Sequence, residues 1–157
     1  MQDVQAMPEL LSSFLSQESG QKVSVTSYET MTGGYSRLMA RAEVRWQDGS
    51  TETLVLRGDP PPGKAMMETD RDTEWALLSA LGQAESIPMP KARYYDSTGT
   101  RLGTKAIVLD FVTGQSLQAH LNECNPETGY GRHTFDLVDT MAAVHRINPD
   151  DVGSSIP

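Results

Sequence analysis

The sequence predicts an α+β fold in which an antiparallel sheet carries one inserted helix. Apolar and polar residues alternate over five short segments, and turn signals join neighbouring segments. A three-four apolar spacing, typical of a helix, interrupts this series after the third segment. Strands that follow one another through short turns pair in antiparallel fashion. The series lacks the regular strand-helix alternation of a Rossmann domain, so a parallel doubly wound sheet does not fit.

The N-terminal part is expected to hold one helix and three strands. Pro8 suits a first helical turn, the apolar residues that follow recur at helical spacing, and Ser19-Gly20 ends the helix. Strands are predicted over 23–31, 38–46 and 52–57, the last two joined at Asp48-Gly49. Three consecutive prolines make 58–64 a loop.

The second half continues with a helix over about 66–81, placed by its apolar stripe. Two further strands are predicted over 92–96 and 105–112, and the chain then becomes helical. A short helix over 117–122 and a loop over 124–131 precede a longer helix that ends near residue 148. We expect one unit over 1–113 and the beginning of a second, helical unit over 114–157.

Composition narrows the class of partner. The 157 residues contain 13 basic and 21 acidic side chains, a formal charge of -8, so binding to nucleic-acid phosphates is not expected. The sequence has no signal-peptide pattern and no run of about 18 apolar residues, so no membrane association is expected. Cys124 is the only cysteine, which favours a reducing, cytoplasmic location.

Two places in the sheet carry candidate chemistry. Between the first two strands, Gly33-Gly34-Tyr35-Ser36 offers small residues that would let backbone N–H groups approach phosphates, although Gly-Gly between strands also makes a simple hairpin. Arg57 ends the third strand, where an ordinary surface arginine is one interpretation. The segment 108–114, Val-Leu-Asp-Phe-Val-Thr-Gly, closes the fifth strand.

The inserted helix contributes one carboxylate, that of Glu74. It shares the apolar face with Leu78 and Leu81, so it is expected to point inward, where an unpaired charge is very costly. Arg57 is the natural partner. A solvated position at the edge of the apolar stripe, or a local pair with Arg71, remains the alternative.

Taken in order, and with Ile-Pro-Met-Pro at 87–90 before the fourth strand, these segments resemble the aminoglycoside phosphotransferase-like kinases. They look closest to the branch associated with acyl-CoA dehydrogenase-like proteins. The resemblance implies a protein-kinase-like N-lobe, with its five-stranded antiparallel sheet and inserted helix, followed by the first helices of the C-lobe. It also implies ATP or GTP as cofactor and a small hydroxyl-bearing molecule as phosphate acceptor.

The same resemblance implies roles for nine residues. Gly33, Gly34, Tyr35 and Ser36 would cover the phosphates, and Glu74 would pair with Arg57, which stands where kinases have a phosphate-contacting lysine. A guanidinium binds phosphate as a fork, so this exchange alters the geometry. The hinge that hydrogen-bonds the purine would be Asp110, Phe111 and Val112.

The family's catalytic loop is absent from these 157 residues. It contains His-Gly-Asp, but the three histidines here are followed by Leu121, Thr134 and Arg146. The base and the magnesium ligands would come from that loop and from a later aspartate, so Mg is expected only in a full-length protein. We therefore expect a nucleotide-binding portion of a small-molecule phosphotransferase, inactive alone, and whether this chain is itself an enzyme stays uncertain.

Two other readings stay open at this point. The first alternative is a kinase-like binding module without catalysis. The second is an unrelated α+β domain in which Gly-Gly and Arg57 are coincidental. A reading frame that continues to His-Gly-Asp would favour the enzyme.

Apolar residues of the last helix, including Phe135, Val138 and Met141, predict association between copies. His145 is expected to pack as a structural histidine, and His120 and His133 to lie on the surface without partners.

Overall fold

The fold is taken from a computed structural model, which describes residues 6–31, 38–59, 70–82, 87–123, 130–148 and 150, without the side chains of 130–132. Helices and strands do not follow a regular strand-helix repeat along the chain, which is typical of an α+β fold. They are α1 (Met7–Ser19), β1 (Ser24–Thr30), β2 (Leu38–Arg45), β3 (Thr51–Gly58), α2 (Arg71–Leu81), β4 (Ala92–Asp96), β5 (Ala106–Asp110), α3 (Leu117–Glu123) and α4 (Tyr130–His145).

The five strands form one antiparallel sheet in the order β1-β2-β3-β5-β4. The predicted α+β fold with a five-stranded antiparallel sheet and an inserted helix is thereby confirmed. The β2–β3 hairpin turns at Asp48-Gly49, where Gly49 has a φ of 85°, a left-handed conformation that glycine adopts without strain. β3 is the central strand and pairs on both sides, so residues on it are held at fixed positions.

The sheet packs on both faces. One face forms the main core with α1, where Phe14 and Leu15 of the helix meet Ala42 and Val44 of β2. The opposite face forms a smaller cluster in which Val55, Ile107 and Leu109 are buried. Trp75 and Leu78 of α2 pack against that second cluster, so α2 lies on the face opposite α1.

Several element boundaries differ from the prediction. α2 begins at Arg71 and not near residue 66, because Asp70 has extended backbone and accepts a hydrogen bond from the Thr73 amide as an N-cap. β5 covers 106–110, shorter than the predicted 105–112, and α4 begins at Tyr130, inside the predicted loop. The predicted start near residue 66 depended on Met67, the first residue of the helical stripe. Met67 lies outside the described residues.

Beyond the sheet, α3 and α4 leave large apolar side chains in water. Phe135 is 72% exposed, and Leu137, Val138 and Met141 are all about half exposed. No helix in the described ranges has the length and apolar content needed to cross a membrane.

The turn between β4 and β5 is organised by a buried carboxylate, Asp96. Its oxygens accept hydrogen bonds from the amides of Gly99, Arg101 and Leu102 at 2.8–3.0 Å and from the Thr98 hydroxyl at 3.1 Å. Burial raises the pKa of Asp96, but these hydrogen bonds to the ionised form outweigh it and hold the pKa below its ordinary value. The turn therefore depends on a negative charge.

Replacing this carboxylate should weaken the fold. Asp96→Asn keeps the shape but leaves amide donors unsatisfied, so we expect a loss of about 2–4 kcal/mol of unfolding free energy at pH 7 in urea titrations. Because the folded pKa is lowered, the stabilisation is present above the unfolded value of about 3.9 and disappears as pH falls through the folded value. The stability of the variant should accordingly fall less steeply below about pH 4. Asp139→Asn, on the exposed side of α4, is the control; equal losses in both variants would contradict the role of Asp96.

Candidate functional site

The predicted ion pair between the central strand and the inserted helix is present. Arg57 Nη2 lies 2.7 Å from Glu74 Oε1, and both side chains are mostly buried. Arg57 is placed by β3, where it stands in register with Met39 of β2 and Ile107 of β5. Within the described ranges, Glu74 is the partner of the Arg57 guanidinium, whose Nε donates to nothing. The pair leaves this arginine with donor capacity for a further acceptor.

A second arginine, not singled out as a site residue by the sequence, joins the same carboxylate. Arg71, at the first position of α2, has a side chain with no exposed surface. Its Nη1 donates to Glu74 Oε2, and its Nε and Nη2 donate to Asp59 Oδ1 at 3.0 and 2.6 Å. Both alternatives for Glu74 therefore hold at once, since it binds Arg57 and Arg71 together. Only the three-residue spacing between Arg71 and Glu74 pointed to this contact.

The first turn of α2 is fixed to the sheet edge by Asp72. This carboxylate accepts from Tyr95 Oη and from Lys105 Nζ, each at 2.6 Å. The hydrogen bond from Lys105, and then that from Tyr95, lowers the pKa of Asp72, while burial and the same bond raise the pKa of the Tyr95 phenol. Trp75 stacks on the Tyr95 ring with centroids 5.3 Å apart. These contacts set the distance between α2 and the sheet, and with it the Arg57–Glu74 pair.

The sheet face that carries Arg57 also carries a second cation and an aromatic ring. Arg41 of β2 aligns with Val55 of β3 and Leu109 of β5 in the row next to Arg57. Its guanidinium lies 5.1 Å from the centre of the Phe111 ring, within the range of a cation–π contact. Nε of Arg41, like that of Arg57, is buried without a hydrogen-bond partner in the described part of the chain. The face thus combines an apolar floor with two guanidinium groups.

The predicted hinge residues differ in what they can offer. The Asp110 amide donates to the Lys91 carbonyl, and its carboxylate accepts from Arg93 at 2.9 Å, so Asp110 is engaged in the sheet. Phe111 and Val112 follow the strand, beyond the residues that β5 pairs in the sheet. Val112 is 64% exposed. Backbone recognition of a ligand would therefore fall to Phe111 and Val112, with Asp110 in a structural role.

Four predicted site residues, Gly33, Gly34, Tyr35 and Ser36, lie outside the described residues. The three histidines differ from the expectations. His120 and His133, expected to lack partners, contact each other with their Nε2 atoms 2.9 Å apart, because α3 and α4 bring them together. His145 is exposed and not packed, since the apolar face of α4 beside it is itself in water.

No group of three metal-ligating side chains is found among the described residues. Asp59, Glu74 and Asp110, the carboxylates nearest the site, are each bound to an arginine. An arginine-bound carboxylate is a poor ligand for a hard divalent cation.

Two comparisons relate this chain to known proteins. The model of the phosphotransferase enzyme family matches residues 33–157. Among solved structures, the chain is similar to a "putative aminoglycoside phosphotransferase" from Ralstonia eutropha JMP134, at 18% identity and a TM-score of 0.46. That match covers 69% of this chain and 29% of the other, so this chain spans under a third of that protein. The family match extends over most of the chain: the protein belongs to the phosphotransferase enzyme family.

Proposed function

We propose that this chain is the nucleotide-binding portion of a small-molecule phosphotransferase, and that it binds ATP or GTP on the sheet face that carries Arg57. The observation that supports this most directly is the Arg57–Glu74 ion pair, which joins the central strand to α2 and, among the described residues, leaves Arg57 Nε without an acceptor. A guanidinium with unused donors beside a half-buried apolar surface suits the phosphate of a ligand that also has an apolar part.

The two ends of the nucleotide would meet different groups. The phosphates would lie toward Arg57, whose charge is partly offset by Glu74. The purine would lie toward Phe111 and Val112, the residues that directly follow β5. Gly33, Gly34, Tyr35 and Ser36, in the segment between β1 and β2, would cover the phosphates. Purine recognition by backbone requires no particular side chain, which leaves the choice between ATP and GTP open to experiment.

We do not assign the magnesium ligands or the acceptor site to any of the residues named above. The carboxylates at the described site are bound by arginines, and the 157 residues contain no His-Gly-Asp motif. Phosphoryl transfer needs a positioned acceptor hydroxyl and metal ions on the phosphates. This chain would contribute phosphate and purine contacts, and the rest of the chemistry would come from the remainder of a full-length phosphotransferase acting on a small hydroxyl-bearing molecule in the cytoplasm.

Removing the guanidinium should weaken binding of the phosphates alone. For Arg57→Ala we expect ATP affinity to fall about 10- to 100-fold, the value of one or two charge-assisted hydrogen bonds. Affinity for adenosine, which has no phosphate, should stay unchanged in isothermal titration calorimetry. Arg101→Ala, on the opposite face of the sheet beside Phe14, is the matched control and should bind ATP like the unaltered chain. ATP binding that is insensitive to Arg57→Ala would overturn the assignment.

Binding should occur without turnover. In a coupled assay with ATP, Mg²⁺ and a panel of small hydroxyl compounds, we expect no ADP above the no-protein rate, because the base and the metal ligands are not among these residues. Formation of a phosphorylated acceptor by this polypeptide would contradict the proposal.

We also propose that copies of this chain associate through α4. Its exposed apolar side chains, chiefly Phe135, Val138 and Met141, form a surface larger than isolated apolar residues would make. Sedimentation velocity should show concentration-dependent dimers or larger species, and the double variant F135E/M141E should be a monomer because charges on this face oppose burial. A monomer at all concentrations for the unaltered chain would contradict the association.

A further inference from the structure

We propose that Arg71 is a positioning residue of the phosphate site: it holds the Glu74 carboxylate so that Arg57 keeps one orientation with donors left for a ligand. This inference rests on the proposed nucleotide function for its consequence, but its structural part can be tested without nucleotide. Arg71 would not touch the ligand itself. It would act through Glu74 and through the end of β3.

The burial of Arg71 is the first observation. Its side chain has no exposed surface, and a buried charge is tolerated only with charged or hydrogen-bonding partners. It has three: the Asp59 carboxylate, the Glu74 carboxylate and the Gly58 carbonyl, which accepts from Nη2 at 3.3 Å. A guanidinium can bind two carboxylates in different directions because its donors form a planar fork. The site therefore uses a property specific to arginine.

The two oxygens of Glu74 are divided between the two arginines. Oε2 accepts from Arg71 Nη1, and Oε1 lies 2.7 Å from Arg57 Nη2. Rotation of this carboxylate would break both contacts, so its plane is fixed from two sides.

Arg71 also fixes the strand end that carries Arg57. Gly58 and Asp59 follow Arg57 directly, and both bind Arg71. The Asp59 amide donates to the Lys105 carbonyl at 3.0 Å, which secures the same point to the chain just before β5. A side chain at position 58 would come within 3.1 Å of Thr104 Cγ2, so the strand end has little room to shift. One buried guanidinium thus links β3, α2 and, through Asp59, the approach to β5.

A lysine cannot reproduce this arrangement. Its ammonium is a compact point charge and lacks the planar fork of donors with which the guanidinium binds two carboxylates at once. The first test is a double-mutant cycle of Arg57→Ala and Glu74→Gln, with unfolding free energies measured in urea. We expect coupling between the two residues in the unaltered chain and its loss in the R71K background. In the R101K background, which changes an ion pair on the α1 side, the coupling should remain. Equal coupling in all three backgrounds would overturn the proposal.

The second test asks for the consequence at the ligand. Arg71→Lys should lower ATP affinity about tenfold, the size of one charge-assisted hydrogen bond, with adenosine affinity unchanged. In the R57A background, Arg71→Lys should have no further effect on ATP. A merely structural role would instead reduce affinity for ATP and adenosine alike, and would persist when Arg57 is absent.

The outcomes separate this inference from the function on which it rests. If the unaltered chain bound no ATP, the proposed function would fall, while the cycle would still show whether Arg71 positions Glu74. If the R71K variant did not fold, the Asp59→Asn variant would replace it in both tests. Asp59→Asn removes the other carboxylate bound to Arg71 and leaves the positive charge of Arg71 in place. A full Arg57–Glu74 coupling in the D59N variant would then count against the proposal.

Discussion

The arrangement of the site depends on the buried charge of Arg71. A guanidinium without exposed surface must be neutralised where it lies, and the fold supplies Asp59 from the end of β3 and Glu74 from α2. Strand and helix are therefore joined by charge as well as by apolar contact. Arg57 then meets a carboxylate whose position is already fixed. The junction thus holds a strand cation and a helix carboxylate together.

The apolar contacts under α2 make the junction possible but do not determine it. Among the described residues, the cluster on this face has three buried members, Val55, Ile107 and Leu109, against thirteen in the cluster on the α1 face. A helix on so small a core could slide. The stacking of Trp75 on Tyr95, and the hydrogen bonds of Asp72 to Tyr95 and Lys105, hold its first turn at one position along the sheet. The α1 face supplies the stability, and the α2 face supplies the position of charged groups.

Much of this fold could be predicted from the sequence because each strand has a period-two pattern and each turn has its own residues. The β4 limits, 92–96, were predicted correctly, and the Asp48-Gly49 hairpin is where a turn of that composition belongs. The inward direction of Glu74 followed from its place on the apolar stripe. The same stripe misplaced the start of α2, because periodicity gives no weight to a cap such as Asp70.

Other features of the site could not be predicted, since they depend on residues brought together by the sheet. Asp59 looked like part of a proline-rich loop, and nothing local showed that it would face Arg71. The alignment of Arg41 with Val55 and Leu109 requires the register of three strands, one of which follows α2 in the chain. The contact between His120 and His133 likewise joins two helices across a gap in the sequence. The proposed nucleotide roles of Arg57, Phe111 and Val112 therefore need a direct binding measurement.

We propose above all that the face of the sheet carrying Arg57 is a nucleotide site. The most direct measurement is a ¹H–¹⁵N spectrum of the isotopically labelled chain, recorded during titration with ATP. We expect saturable shifts of the Phe111 and Val112 amides and of the Arg57 Nε–H, with the α1 face and the Asp96 turn unchanged. Shifts confined to the opposite face, or no saturable shift at any of these groups, would contradict the claim.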